Sequence, residues 1–262
     1  MRYWAFSSGR LIYVLGNEVS MDLIELLIII ILAGLLSIVA QYLDLLTYDG
    51  AIASLGIGLV IGLFGTVDWL LILIMFTGLG FAATLVGLAK KRAKGLQEGK
   101  HGERMYKNVI AVGIAPCVFA ILYFWLGEEY YTIMSIGYLS SIAVAAADTI
   151  ASEVGVKDKK VWLITTFKRV EPGVDGGISV IGTTLALFAA IITTILGWVL
   201  IFGLTFEWYF FIPVAAGMIG CFADSVLGAT LETKGRISKY TNNASTALFG
   251  SFIAVLIFHC LF

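Results

Sequence analysis

Two acidic segments of the sequence resemble each other, and their residue types could bind a cation. The first reads ADTI and contains Asp148, with Glu153 behind it; the second reads ADSV and contains Asp224, with Glu232 behind it. Both end long apolar runs, where an ionised carboxylate is costly unless it faces water or a cation. Mg²⁺ takes oxygen ligands and keeps water positions that phosphate oxygens can occupy. We therefore expect Asp148 and Asp224, with Glu153 as a candidate third ligand, to bind Mg²⁺; helix capping or pairing with a lysine is the alternative.

The segment between them, TTFKRVEPGVDGGIS, has the composition of a phosphate-binding loop. Its glycines would let backbone N–H groups approach an anion, and the apolar helix that follows would direct its positive dipole end to the same point. Lys168 and Arg169 would add positive charge to the transferred group. We expect a phosphate site formed with these cations by Gly173, Gly176, Gly177 and Ser179. A turn that binds no ligand is the alternative.

Two further polar pairs could contact a nucleotide. Asn242 and Asn243 precede the last apolar run, so one of them would cap the final helix and the other could hydrogen-bond a base, a ribose or a phosphate. Arg104 and Asn108 stand at the head of an earlier apolar run, where they could orient one of the phosphates.

The amino-acid composition indicates the environment in which these residues lie. Hydrophobic residues make up 60% of the 262 positions, charged residues only 13%, and the mean hydropathy is +0.96. Soluble domains carry roughly 25% charged residues, so this is an integral membrane protein. We expect one membrane catalytic domain over residues 21–262 and no nucleic-acid partner. Residues 1–20 would form an interfacial arm or reflect a start placed too early.

Apolar runs long enough to cross a bilayer recur along the chain, since a spanning helix needs about 20 residues. They predict an all-α, polytopic transmembrane bundle of about eight helices. The run 51–65 is short and carries four glycines, so the bundle has seven spans if this run does not cross. The predicted helices cover residues 22–43, 51–65, 68–89, 108–126, 130–150, 177–204, 208–230 and 245–262.

The basic residues predict how the bundle is oriented. Fifteen of the 17 Lys and Arg residues lie in three loops, 90–107, 151–176 and 231–244, which fall on one face in the eight-helix arrangement. Basic loops resist translocation, so we expect this face to be cytoplasmic and the protein to lie in the cell membrane. The two acidic helices then run in the same direction, which indicates a weak internal parallel repeat.

These motifs occur together in a known family. The ordered set ADTIASEVG, TTFKRVEPGVDGGIS, DSVLGATLE and TNN, preceded by ERMYKNVIAVG, resembles the integral membrane family of transmembrane protein 19 and plant phytyl-phosphate kinase. The likeness runs from about residue 45 to the C-terminus. Asp175 stands where the family pattern has Asn.

The resemblance implies a kinase that uses CTP to convert an isoprenyl monophosphate to its diphosphate, and kinship with polyprenol kinases. CTP, the isoprenyl phosphate lipid and membrane lipid would be its partners and Mg²⁺ its cofactor. A kinase acting on a polyprenol, a cytidylyltransferase making a CDP-lipid, and a secondary transporter are the alternatives. We expect the lipid tail beside the glycine-rich runs 55–65 and 78–88, where small side chains leave grooves.

Overall fold

Eight helices dominate the computed structural model, which describes residues 3–7, 10–14, 19–93, 103–155 and 158–262. Seven of the described helices are long and apolar enough to cross a membrane, and the eighth, α2, has 17 residues. The prediction of a polytopic helical membrane protein is therefore confirmed. The helices are α1 (Leu23–Tyr42), α2 (Tyr48–Phe64), α3 (Val67–Ala93), α4 (Tyr106–Leu126), α5 (Tyr131–Gly155), α6 (Val180–Phe202), α7 (Phe211–Leu227) and α8 (Lys239–Leu261).

Two small antiparallel sheets accompany the helices. In the N-terminal arm, β1 (Tyr3–Ser7), β2 (Arg10–Val14) and β3 (Val19–Met21) pair in that order. Between α5 and α6, strands β4 (Val161–Leu163), β5 (Arg169–Val170) and β6 (Gly177–Ile178) pair in the order β5-β4-β6. The predicted basic loop 151–176 therefore contains a small sheet, and residues 161–178 are named here the cap. Half of the basic loop 90–107, residues 94–102, lies outside the described residues.

Helix α5 is the centre of the bundle. In its most apolar stretch 83% of the residues are buried, compared with 22% in α1. Small residues make this possible, because glycines on α7 let the two helices approach closely. A methyl group on Gly217 would lie 2.9 Å from the Ala190 Cβ and 3.2 Å from the Ala143 oxygen, and one on Gly220 would overlap Val144. The α7 backbone is therefore held tightly against α5.

Serine side chains fix where α6 and α8 begin. The Ser179 hydroxyl accepts the Gly182 N–H at 3.0 Å, so α6 starts at residue 180 rather than at 177 as predicted. The Ser238 hydroxyl accepts the Thr241 N–H at 3.1 Å, and α8 starts at Lys239, six residues before the predicted 245. The early turns of α8 are polar, and the apolar run alone therefore marked its start too late.

The cap between α5 and α6 is docked onto the end of α7. Gly176 has a φ of 77°, which favours glycine, and a methyl group there would overlap Ala229. At this point α7 continues as a π-helical turn, Gly228–Glu232. The ends of α5 and α7 and the beginnings of α6 and α8 therefore meet at one end of the bundle, named here the acidic end.

Candidate functional site

A cavity of about 290 Å³ opens at the acidic end. Its walls come from α5, the cap, the beginning of α6, the end of α7 and the beginning of α8. Of the residues singled out from the sequence, it brings together Asp148, Asp224, Gly173, Gly176, Gly177, Ser179 and Asn243.

The two repeated aspartates meet in this cavity. Asp148 lies on α5 and Asp224 on α7, and their carboxyl groups are within hydrogen-bonding contact of each other. The Asp224 Oδ1 atom is buried and has no hydrogen-bond partner among the described residues. Two ionised carboxylates in contact repel strongly away from water, so the pair requires a shared proton or a bound cation. This donor set is the chemistry expected of a divalent metal ligand pair.

Lys239 and Glu232 complete the charge pattern, and neither was predicted from the sequence as a site residue. Lys239, the first residue of α8, lines the cavity and attracts both aspartates electrostatically. Glu232 lines it from the π-helical turn. The helical spacing of Lys239 and Asn243, four residues apart on one face, would have pointed to the lysine had the helix start been recognised.

The two asparagines have different surroundings, and neither caps α8. Asn242 is 1% exposed, and its Nδ2 atom donates to the Asp224 main-chain oxygen and to Glu232 Oε2, both at 3.1 Å. Asn243 lines the cavity instead. The prediction that one asparagine is the N-cap is wrong, because Ser238 has that position. Asn242 joins α8 to α7, and Asn243 is the one that can reach a ligand.

The glycine segment lines the cavity, but several of its polar groups are used inside the protein. The Gly177 N–H donates to the Val174 oxygen at 2.9 Å, and the Ser179 hydroxyl caps α6. Asp158 also accepts hydrogen bonds at this point, from Lys160 first and also from the Ile181 N–H, and these bonds lower the pKa of its carboxyl. The N-terminus of α6 is therefore largely capped by the protein itself.

Lys168 and Arg169 do not join the site. Both are exposed and neither is among the residues that line the cavity. The hairpin of β4 and β5 accounts for this, because Arg169 pairs with Trp162 across the strands and its guanidinium donates to the Lys159 oxygen at 3.4 Å. Lys239 is the cation that lines the cavity instead.

Arg104, Asn108 and Glu153 do not line this cavity, although the charges of Arg104 and Glu153 act on Asp148. Arg104 and Asn108 line a second cavity of about 50 Å³ among α2, α3 and α4. The Arg104 Nη2 atom lies 3.9 Å from Glu153 Oε1 and donates to Thr84 Oγ1 at 3.2 Å. Glu153 is five residues beyond Asp148, which is about 140° around an α-helix, so the two side chains leave different faces of α5. In the described parts of the chain, no three His, Cys, Asp or Glu side chains are grouped as a metal site.

The fold and the cavity define a polytopic helical membrane protein with an acidic site at one end of the bundle. The family model described as integral membrane protein DUF92 matches residues 31–253, and the chain belongs to that family. This confirms the resemblance drawn from the sequence motifs. No solved structure matches the chain.

Three relatives show how far the similarity extends. An uncharacterised membrane protein of Methanocaldococcus jannaschii is 35% identical over 237 residues, which cover 90% of this chain and 95% of the relative. The chloroplastic protein VTE6 of Arabidopsis thaliana is 30% identical over 199 residues, covering 74% and 59%. An uncharacterised membrane protein of Synechocystis is 31% identical over 165 residues, covering 63% of each chain. The plant and cyanobacterial relatives are thus longer than the part matched here.

Proposed function

We propose that the protein transfers the terminal phosphoryl group of CTP to an isoprenyl monophosphate. An oxygen of the acceptor phosphate would form a bond to the γ-phosphorus, the bond from that phosphorus to the bridging oxygen would break, and CDP would leave. The observation that carries this proposal is the meeting of Asp148, Asp224 and Lys239 in one cavity. Phosphoryl transfer requires mainly positioning and charge neutralisation, which such a set supplies.

The residues of the cavity are suited to Mg²⁺. This ion binds one or two protein carboxylates and fills its remaining positions with water and substrate phosphates. Asp148 and Asp224 would hold it, and the unpartnered Oδ1 atom of Asp224 supports this role. When bound, the ion would neutralise charge on the phosphates. Although Glu232 also lines the cavity, no three acidic side chains of the described residues are grouped as a metal site. This is compatible with magnesium, which differs in this respect from structural zinc.

The chain's own groups would position the two phosphates. The Lys239 ammonium, at the wall of the cavity, can pair with a phosphate oxygen, and the Asn243 amide one turn along α8 can donate to the same group. No strong general base is needed, because a phosphate monoester is already ionised near neutral pH. The absence of histidine from the described lining of the cavity is compatible with this acceptor.

The acceptor and the nucleotide rest on the family. Membership of DUF92 and the motifs shared with plant phytyl-phosphate kinase support an isoprenyl phosphate as acceptor and CTP as donor. The basic loops support a cytoplasmic position for the acidic end, where nucleotides are available. The location of the aspartates also favours an enzyme over a transporter. Asp148 is five residues from Glu153, the end of its apolar span, so it lies about 8 Å from that end rather than at the midplane.

Radiolabelled nucleotides test the proposal directly. The purified protein would be incubated with γ-labelled CTP, ATP or GTP and a panel of isoprenols and isoprenyl phosphates. We expect label to move from CTP to the monophosphate, with CDP as co-product. Pyrophosphate release with a CDP-lipid would indicate a cytidylyltransferase, and transfer to the alcohol would indicate a polyprenol kinase. A lack of transfer with every pair would contradict the proposal and favour transport.

A further inference from the structure

The cavity at the acidic end continues along the facing sides of α6 and α7. Helix α6 and its N-cap contribute Ser179, Gly182, Thr183 and Ala186, and α7 contributes Met218, Cys221, Phe222 and Ser225. Each set has the spacing i, i+3, i+4, i+7 and so forms one helix face. The two helices are consecutive and antiparallel, so Ser179 and Ser225 lie at the acidic end while Ala186 and Met218 lie deeper.

This arrangement gives the cavity a gradient from polar to apolar. The aspartate pair and the serine hydroxyls line its mouth, and Ala186, Met218 and Cys221 line its inner part. Seven residues separate Ser179 from Ala186, so the cavity extends about 10 Å along the helices. One of its wall residues also reaches the outer surface of the bundle. Phe222 lines the cavity and is 37% exposed, although it lies within the membrane-spanning stretch Trp208–Glu232.

We propose that an isoprenyl chain enters this groove sideways from the bilayer, between α6 and α7, and lies against Met218 and Phe222 with its phosphate at the aspartate pair. The inference rests on the proposed function and adds the location of the chain. An isoprene unit spans about 5 Å when extended, from four carbon–carbon bonds. A groove of about 10 Å therefore contacts the first two units, and the rest of the chain remains in lipid.

A different groove touches the glycine-rich run 78–88 through Leu79 and Gly80, and its lining includes no residue of the run 55–65. It has a volume of about 170 Å³, lies among α3, α5 and α6, and is almost entirely apolar. Thr149 and Ile150 line this groove, whereas Asp148 lines the acidic cavity. Because successive helical residues are 100° apart, α5 separates the two spaces. A chain bound there would not place its phosphate at the aspartates.

Chain-length dependence distinguishes the two grooves. Transfer would be measured with C5, C10 and C20 isoprenyl phosphates for the wild type, for Met218→Trp in the acidic cavity and for Ile192→Trp in the other groove. The wild type should gain in kcat/KM from C5 to C10 and little thereafter. Met218→Trp should raise KM for C20 at least ten-fold and raise it for C5 much less, because the longer chain uses more of the filled space. Ile192→Trp should match the wild type with every chain.

Equal losses with C5 and C20 in Met218→Trp would overturn the inference, as would a chain-length effect confined to Ile192→Trp.

A photoreactive alkyl phosphate with a diazirine on its chain provides a test that needs neither turnover nor a variant. Labelling of the α7 peptide that contains Met218 and Phe222 supports the groove, and labelling of α3 or of no peptide contradicts it. Labelling of α7 in a wild type that transfers nothing would retain the lipid groove and reject the kinase.

Discussion

The last turns of α5 and α7 have similar local sequences but different surroundings. Each supplies one aspartate to the cavity, yet the glutamates that follow separate. Glu153 comes five residues after its aspartate and turns towards Arg104, whereas Glu232 comes eight residues after its own and lines the cavity. Spacings of five and eight place a side chain about 140° and about 80° from the starting residue, and the π-helical turn adjusts the second further. The repeat therefore specifies the aspartate pair but not what surrounds it.

The two regions also differ in how firmly they are held. Residues of α5 are buried on nearly all sides, with 83% of its apolar stretch buried, whereas the figure for the α7 span is 33%. The second region instead uses polar contacts, since Asn242 joins the Asp224 backbone to the Glu232 side chain. We infer that α5 supplies a rigid carboxylate and that the α7 and α8 side supplies the groups that adapt to a ligand.

Neutralising either aspartate should have the largest effect. Asp148→Asn and Asp224→Asn keep the shape of the side chain and remove its charge, so each should lower kcat about 100-fold or more in the transfer assay. Folding should be retained, because an amide relieves the repulsion between the carboxyl groups. Thermal unfolding in detergent would check this.

Asp22→Asn is a matched control for the aspartate variants. Asp22 caps α1 by accepting the Leu23 N–H, and Asn caps helices equally well, so activity and stability should both stay near wild type. Normal turnover in a well-folded Asp148→Asn or Asp224→Asn protein would remove that residue from the metal site.

Replacing the lysine of the cavity should have the next largest effect. Lys239→Met keeps the length of the side chain and removes the positive charge, so kcat/KM should fall roughly 30-fold or more by loss of a charge-assisted contact to phosphate. Lys239→Arg should recover part of the rate. The steady-state kinetics of the purified variants would provide the measurement.

Lys168→Met and Arg169→Met provide the comparison for Lys239. Both side chains are exposed on the cap and outside the cavity, so these variants should remain within two-fold of wild type. If Lys168→Met is the damaging change and Lys239→Met is silent, the sequence-based assignment of the phosphate cations was right and the one from the cavity is wrong.

The contrast between these lysines shows what the sequence could predict. The membrane spans can be predicted because apolar runs are visible in the sequence. The aspartate pair can be predicted because the repeated segments are visible there too. Lys239 was missed because its helix begins among Lys, Tyr, Thr and Asn, which carry no apolar signal. Lys168 was selected because it adjoins the glycines, but the pairing of β4 with β5 turns that stretch out of the cavity. Such three-dimensional pairing is not visible in residue spacing.

The two glutamates of the repeat should separate activity from stability. Glu232→Gln should lower kcat/KM about ten-fold, because it removes a negative charge that would attract the bound Mg²⁺ in the cavity, and should change stability little. Glu153→Gln should retain activity and lose about 1 to 3 kcal/mol of unfolding free energy, because its partner Arg104 is only 19% exposed and would lose the charge that faces it. Parallel assays of transfer and of denaturant unfolding in micelles would measure both. Identical behaviour of the two variants would mean that the ends of α5 and α7 are equivalent.

The neighbouring asparagines of α8 should also separate an effect on activity from an effect on stability, with smaller changes. Asn242 is buried and makes two hydrogen bonds to the α7 side, so Asn242→Ala should cost about 2 kcal/mol of stability and leave the Glu232 carboxylate without its donor. Asn243 lines the cavity, so Asn243→Ala should raise the KM for nucleotide or acceptor a few-fold without lowering the unfolding midpoint. Because the two positions are adjacent on one helix, a general disturbance of α8 would change KM and the unfolding midpoint in both variants. A rise in KM for Asn242→Ala with unchanged stability would mean that the Asn242 amide contacts the ligand. It would also mean that the hydrogen bonds of Asn242 contribute little to the packing of α8 against α7.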